Sequence, residues 1–133
     1  MKNIIIHNID STTFRDQRGW VANPFSIPGF PQQFGHLHTV SMNPGTKRGN
    51  HRHKTCREWF FVFGGAYSVR WKNDKGIQEK RFSDQQMRVV EVPPGVEHAI
   101  INTADHTIYL IAFQEGSREK ISKDTVPTEL PEP

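Results

Sequence analysis

Short β-prone segments separated by tight turns fill the middle of this chain. Strand patterns are predicted over 35–42, 58–63, 66–71, 77–82, 87–92, 98–102 and 107–113. Gly, Pro, Asn or Asp stands in most of the gaps between them, and the clearest hairpin turn is predicted at 73–76. Helical periodicity does not persist for more than a turn or two. About nine or ten strands with short connections predict a single all-β domain, a sandwich or a barrel of the jelly-roll type.

The two ends of the chain have a different composition. A first strand is predicted at 2–9, and a long loop at 23–34, where Pro24, Pro28 and Pro31 are incompatible with regular strand pairing. Residues 1–34 therefore form an N-terminal strand and loop, residues 35–113 the barrel core, and residues 114–133 an extended or partly disordered tail, because hydrophobic residues become sparse there. Three phenylalanines of the loop are predicted to lie against the barrel: Phe25, Phe30 and Phe34.

Composition limits where the protein acts and what it binds. The chain has 133 residues, enough for one domain with its own core, and a single cysteine, Cys56, which rules out an internal disulfide. The apolar run at residues 4–6 is too short for a signal peptide or a membrane span. We expect a cytoplasmic protein with neither a membrane nor a nucleic-acid partner, since no nucleic-acid-binding motif is found.

A histidine-rich stretch and a later histidine indicate a metal site. His51 and His53 are two residues apart, so on a strand they face the same side. Glu58 lies five residues beyond His53, which is the wrong parity, and the chain must bend or bulge near 54–56 for its carboxylate to join the imidazoles. His98 follows a Pro-Pro-Gly turn that would return a strand to the same point. Such a ligand set suits Zn, Fe, Mn, Ni or Cu; the alternative is that these are ordinary side chains of a barrel interior.

A second histidine pair precedes this stretch. His36 and His38 also share one face of a predicted strand, but no acid follows them at ligand spacing. They are interpreted as side chains that line the interior or the site and exchange protons, or as surface residues. His7 and His106 are predicted to lie at the surface.

Basic residues are concentrated around the metal motif, although the net charge is only +3. An anionic ligand would suit this cluster, and a solvated strand end is the alternative. Its members are Lys47, Arg48, Arg52, Lys54 and Arg57.

One predicted strand is apolar on both faces. Trp59, Phe61 and Phe63 form a stripe on the face opposite Glu58. A stripe of this length is unusual on the surface of a soluble monomer, so a homodimer is predicted, with the second subunit covering it.

The two histidine motifs resemble the signatures of the cupin superfamily. They are HxHxxxxE over 51–58 and PxGxxHxxxN over 93–102, in the cupin order. The resemblance implies a cupin fold, which is a double-stranded β-helix or jelly-roll barrel. Residues 46–60 and 92–103 are most similar to the metal-binding C-terminal cupin domain of a bifunctional capsular-polysaccharide enzyme, a zinc-dependent epimerase of a UDP-linked 4-keto sugar. The Arg-Gly-Asn-His-x-His segment also resembles sugar-nucleotide 3,4-ketoisomerases, which usually lack the acid at Glu58, and the turn at 16–19 resembles the start of sugar-nucleotide 3,5-epimerases.

This resemblance implies an isomerase or epimerase that abstracts a proton alpha to the ketone of an anionic nucleotide sugar. His51, His53, Glu58 and His98 would hold one divalent metal ion, zinc before the other candidates. Proton transfer would fall to Tyr67, His36 or His38, and diphosphate binding to Arg48, Lys54 or Arg57. Two other functions stay open: an iron- or copper-dependent cupin dioxygenase, and a non-catalytic protein that binds a sugar or another small molecule.

Overall fold

Strands make up most of the protein. The computed structural model describes residues 2–31, 35–116 and 123–133. The elements are β1 (Ile5–Asn8), a 3-10 helix (Asp10–Thr12), β2 (Phe14–Asp16), β3 (Gly19–Val21), β4 (Gly35–Met42), β5 (Lys47–His53), β6 (Glu58–Phe63), β7 (Tyr67–Asn73), β8 (Gly76–Phe82), β9 (Arg88–Val92), β10 (His98–Asn102), β11 (Ile108–Glu115) and β12 (Thr125–Pro127). The all-β class is confirmed, and most of the predicted strands match within a residue or two.

Two antiparallel five-stranded sheets enclose the core. One has the order β1-β9-β6-β11-β4 and the other β12-β5-β10-β7-β8, while β2 and β3 form a separate hairpin. Inward side chains of both sheets, such as Phe60 and Leu110 from the first and Val69 and Ile100 from the second, pack in one cluster. Alternation along each strand therefore directs every second side chain to the interior, as the sequence predicts.

The N-terminal loop covers the outer face of the first sheet. Phe30 packs edge-on against Trp59, with ring centroids 5.3 Å apart, and stacks on Phe25 at 4.8 Å. Trp20 packs against Phe61 at 5.9 Å. The predicted position of Phe25 and Phe30 against the barrel is confirmed, whereas Phe34 lies outside the described residues.

This cover corrects the interpretation of the apolar stripe. Trp59 and Phe61 are only 1% and 2% exposed within a single chain, and Phe63 is partly buried beside Trp20. The chain's own N-terminal segment covers the stripe, so no second subunit is needed to bury it. The homodimer stays a prediction, but the stripe no longer supports it.

We expect Phe30→Ala to lower the free energy of unfolding by about 2–4 kcal/mol, because the ring fills the contact between the loop and Trp59. The same change should uncover apolar surface on the sheet and increase binding of a hydrophobic dye. Chemical denaturation and dye fluorescence measure the two effects. Phe14→Ala is the control, since Phe14 is 58% exposed and its loss should change stability little.

The described part of the tail is packed. Strand β12 pairs with β5, and Leu130 is 2% exposed. The closing strand β11 also runs to Glu115, two residues beyond its predicted end at 113. Throughout the ranges given above, the structure contains no helix with the length and apolar character that crossing a lipid bilayer requires.

Candidate functional site

Pairing of β5 with β10 brings the two histidine motifs together. His51 lies directly opposite His98 in the register of these strands. Strand β5 ends at His53, the chain turns over residues 54–57, and Glu58 opens β6 in the other sheet. The bend that the parity of Glu58 requires is therefore confirmed. It moves the chain from one sheet to the other, so that His51 and Glu58 face each other across the interior.

Three of the four predicted ligands form a compact group. One ligand atom from each of His51, Glu58 and His98 lies within 4.8 Å of the others. His53 is not in this group, but its Nε2 is 3.3 Å from Oε2 of Glu58. The structure thus brings all four side chains together and places His53 on the far side of the carboxylate. The His51, Glu58 and His98 group is a possible metal-binding triad.

The hydrogen bonds of these imidazoles fit a bound cation. Nδ1 of His98 donates to the carbonyl of Val96 at 2.9 Å, so its Nε2 faces Oε1 of Glu58 at 3.3 Å with a lone pair unless the ring is doubly protonated. In the described part of the chain, the buried Nε2 of His51 has no hydrogen-bond partner. Lone pairs directed at a carboxylate repel it, and either a proton or a metal ion between them removes that repulsion. A backbone carbonyl that fixes one ring nitrogen is also the usual support of a metal-binding histidine.

Burial sets the charge states of the group. It lowers the pKa of His51 to about 4, with a further contribution from His98, so this imidazole is neutral near pH 7. Burial alone would raise the pKa of Glu58, but the imidazoles of His53 and His98 lie beside its two oxygens and donate to them when the facing nitrogen carries a proton; this outweighs burial and holds the pKa well below the usual range. The site therefore combines a neutral imidazole with a carboxylate, as a divalent cation requires.

A cavity of about 190 Å³ opens beside the triad. Both sheets contribute polar and aliphatic side chains to its lining. The lining residues are His38, Val40, Arg48, Gly49, His51, Glu58, His98, Ile100, Leu110, Ala112 and Gln114. A ligand in this cavity would contact both the triad and aliphatic side chains.

A β-bulge turns Arg48 toward the cavity. His51 pairs with His98 but Arg48 pairs with Ile100, so β5 uses one more residue than β10 over this step. Gly49 in the bulge has φ +95°, and a Cβ there would lie 3.2 Å from the carbonyl oxygen of His98. The extra residue reverses the alternation, so that Arg48 and His51 face the same side although three positions separate them.

The other two predicted anion-binding residues lie elsewhere. Arg57 is paired with Glu91 at 2.6 Å, and Lys54 is exposed in the bend between β5 and β6. Neither residue lines the cavity. Of the predicted set, the structure brings only Arg48 to the site.

Of the three predicted proton-transfer residues, one lines the cavity and two do not. His38 lines the cavity, and its buried Nδ1 has no hydrogen-bond partner among the described residues. His36 stacks on His38, with centroids 5.2 Å apart, but is not part of the lining. Tyr67 packs on Phe82 in the core away from the cavity, where burial raises the pKa of its hydroxyl.

Gln114 is a site residue that the sequence prediction missed. Its side-chain amide donates to Oε2 of Glu58 and lies 3.0 Å from Nε2 of His53. Ile108, Leu110 and Ala112 alternate toward the interior, and the same alternation points Gln114 inward. The sequence prediction missed this residue because it ended the last strand at residue 113.

His7 and His106 take no part in the site. His7 is bound to Glu91 at 2.8 Å on the outside of the first sheet. His106 lies on a turn with 58% of its side chain exposed, as predicted.

Comparisons with known proteins give one family match. The sequence pattern of the family described as "Polysaccharide biosynthesis C-terminal domain" matches residues 14–126. A search of the curated proteins found no significant match.

Solved structures with the same fold include three informative ones. The capsular polysaccharide assembling protein CapF from Staphylococcus aureus is 28% identical, with a TM-score of 0.63 over 72% of this chain and 27% of that chain. The sugar 3,4-ketoisomerase QdtA from Thermoanaerobacterium thermosaccharolyticum, in complex with TDP, is 16% identical, with a TM-score of 0.67 over 93% of this chain and 87% of that one. A dTDP sugar isomerase from Desulfovibrio desulfuricans is 15% identical, with a TM-score of 0.70 over 97% and 82% of the two chains.

These likenesses confirm the predicted cupin-type barrel. The chain spans about a quarter of the length of CapF in this match.

Proposed function

The chain belongs to the family of polysaccharide biosynthesis C-terminal domains, and from that premise we propose that it is an isomerase or epimerase of a nucleotide-linked 4-keto sugar. One observation carries the proposal: a candidate metal triad, an arginine and an imidazole whose buried Nδ1 has no hydrogen-bond partner among the described residues all meet at one cavity. The sugar 3,4-ketoisomerase QdtA and the dTDP sugar isomerase support the substrate class by analogy of fold.

His51, Glu58 and His98 would hold a divalent metal ion, with His53 beside them. Neutral imidazoles and a carboxylate are the ligands that zinc takes in catalytic sites, where one position stays open. When bound, such an ion supplies polarisation of a carbonyl oxygen, which makes the neighbouring C–H more acidic. Gln114 holds the carboxylate through its amide and thereby fixes the direction in which Glu58 faces.

His38 is the proposed proton acceptor. It lies in the cavity wall on β4, in the other sheet from β5 and β10, and its Nδ1 makes no hydrogen bond within the described chain. Burial lowers the pKa of its imidazole, so the ring is neutral near pH 7 and has a lone pair to offer. A proton removed from the carbon beside the ketone could therefore be held at a ring nitrogen of His38, and epimerisation would need a second group to protonate the opposite face of the enolate.

Arg48 is the proposed contact for the diphosphate. The cavity is smaller than the about 300–1,000 Å³ that encloses a drug-sized ligand, so a sugar ring would enter while the nucleotide stays outside. Arg48 is exposed and also belongs to the cavity lining, so it would lie near the diphosphate that joins a sugar in the cavity to a nucleotide outside. Its guanidinium can bind phosphate oxygens in a bidentate manner.

Deuterium exchange tests the proposal directly. The protein is incubated in D₂O with UDP- or dTDP-linked 4-keto-6-deoxy sugars, with added zinc or with a chelator, and mass spectrometry follows label at the carbon beside the ketone. We expect label incorporation with zinc and little with chelator. UDP-glucose, which has no ketone, is the control substrate. Absence of exchange with every substrate, together with ligand-induced thermal stabilisation, would instead favour a non-catalytic binding protein.

A further inference from the structure

The C-terminal residues 123–133, here termed the C-terminal strap, lie along the strand that carries two of the candidate ligands. Thr125 pairs with His53, Val126 with Arg52 and Pro127 with His51. In the order of the second sheet, β12 is the outermost strand and β5 is next to it. Without the strap, β5 would be an edge strand with unpaired backbone groups beside both imidazoles.

Asp124 of the strap holds the bend that joins His53 to Glu58. Its carboxylate accepts the backbone N–H groups of Thr55, at 2.8 and 3.0 Å, and of Cys56, at 2.9 Å. It also accepts the hydroxyl of Thr55 at 2.9 Å, and its carbonyl accepts the N–H of Lys54 at 3.1 Å. Every residue of the bend from 54 to 56 is thus bonded to Asp124, which is only 7% exposed.

Thr125 continues this contact to His53, the imidazole beside the triad. Its Oγ1 lies 3.2 Å from Nδ1 of His53, on the side of the ring away from Glu58. A partner at Nδ1 fixes both the rotation of the imidazole and the nitrogen that is presented to the carboxylate.

The far end of the strap is anchored on the outer face of the same sheet. Leu130 is 2% exposed, and its carbonyl accepts a hydrogen bond from Nη1 of Arg70 at 3.0 Å. Arg70 is in turn paired with Glu79 at 2.7 Å. The strap is therefore fixed on both sides of β12, and the position of Asp124 does not depend on β12 pairing alone.

We propose that Asp124 and Thr125 are positioning residues of the metal site. The proposal rests on the metal site of the proposed function and extends it to a segment that contributes no ligand. Asp124 sets the shape of the bend and thereby the distance between the imidazoles of β5 and the carboxylate of β6. Thr125 sets the orientation of His53. Metal affinity therefore depends on the strap.

The test compares Asp124→Asn with Asp10→Asn. Asp10 also accepts a backbone N–H, from Met87 at 2.8 Å, and pairs with Arg88, but it lies on the 3-10 helix away from the cavity. An asparagine keeps the volume of Asp124 yet replaces one acceptor oxygen with a donor, which opposes the N–H groups of the bend. Zinc affinity is measured by competition with a chromogenic chelator, and cobalt substitution reports the coordination through its visible spectrum.

We expect Asp124→Asn to weaken zinc binding by about 10–100-fold and to change the cobalt spectrum, while Asp10→Asn leaves both unaltered. Melting of the metal-free proteins shows whether each variant is folded. Thr125→Val should give a smaller loss of zinc affinity, whereas Thr125→Ser, which keeps the hydroxyl, should bind zinc like the wild type. These two variants test the proposal if Asp124→Asn does not fold.

The outcomes separate the two proposals. Wild-type affinity and spectrum in Asp124→Asn, or in Thr125→Val where the first variant is unfolded, would overturn the role of the strap while the metal site stands. Failure of the wild-type protein to bind zinc or cobalt would overturn the metal site itself, and the strap proposal with it.

Discussion

Glu58→Gln is expected to weaken zinc binding by at least about 100-fold, since loss of a supporting residue alone costs about 10–100-fold and Glu58 is a proposed ligand. The amide is uncharged and a poor ligand, although its volume is nearly that of the carboxylate. The metal-free fold should still form, because the amide keeps the volume of the side chain and leaves Gln114 an acceptor oxygen to bond. It should melt at a lower temperature than the wild type, since the fold holds the pKa of Glu58 low and therefore gains stability from the charged carboxylate. Chelator competition measures the affinity, and thermal melting with and without zinc measures the stabilisation by the metal.

Glu91→Gln is the matched control. Glu91 is also a largely buried glutamate bonded to a histidine, His7, but it lies on the outer face of the first sheet and pairs with Arg57. This variant should keep the wild-type zinc affinity. A Glu58→Gln protein that retained a full equivalent of zinc against the chelator would show that the carboxylate is not a ligand.

Local pattern was enough to predict most of the strands and the grouping of His51, Glu58 and His98. Alternation places His51 and His53 on one face, and the odd spacing to Glu58 requires the bend that residues 54–57 make. Both statements concern neighbours in the chain, so one sequence contains the information. The Pro-Pro-Gly turn before His98 is likewise a local signal, and β10 begins at His98.

The level of each inward side chain along the barrel could not be predicted from local pattern in the same way. Tyr67 faces the interior, as alternation on β7 requires, but in the register of β7 with β10 it pairs with Asn102, whereas His98 pairs with Trp71. Four residues of a strand separate the two levels by about 13 Å. Register between strands far apart in sequence decides which inward residues share a level, and a local pattern does not contain it.

Tertiary packing decided two further points. The bulge at Gly49 adds one residue to β5 and brings Arg48 to the cavity, although Lys54 and Arg57 looked equally suitable by proximity in sequence. The apolar stripe through Trp59 and Phe61 was predicted to need a second subunit because its cover, the Pro- and Phe-rich loop, has no regular structure that a pattern could orient. In both cases the missing information is a contact between distant segments.

The geometry of β4 makes a sharp distinction between its two histidines. His36 and His38 lie on the same face of the same strand and stack on each other, so simple proximity to the site predicts similar effects for both. Only His38 lines the cavity, and only its Nδ1 is buried without a hydrogen-bond partner among the described residues. A proton acceptor must reach the carbon beside the ketone, which a side chain outside the cavity cannot do.

We therefore expect His38→Asn to lower the rate of deuterium exchange into the 4-keto sugar by about 100–10,000-fold, the contribution typical of general base catalysis. His36→Asn should lower it by less than about 10-fold, by loosening the ring that stacks on His38. Both variants should keep the wild-type zinc content, since neither side chain belongs to the triad, and this separates loss of the base from loss of the metal. Exchange that survives in His38→Asn but disappears in His36→Asn, at full zinc content, would assign the base to His36 and require β4 to move when the sugar binds.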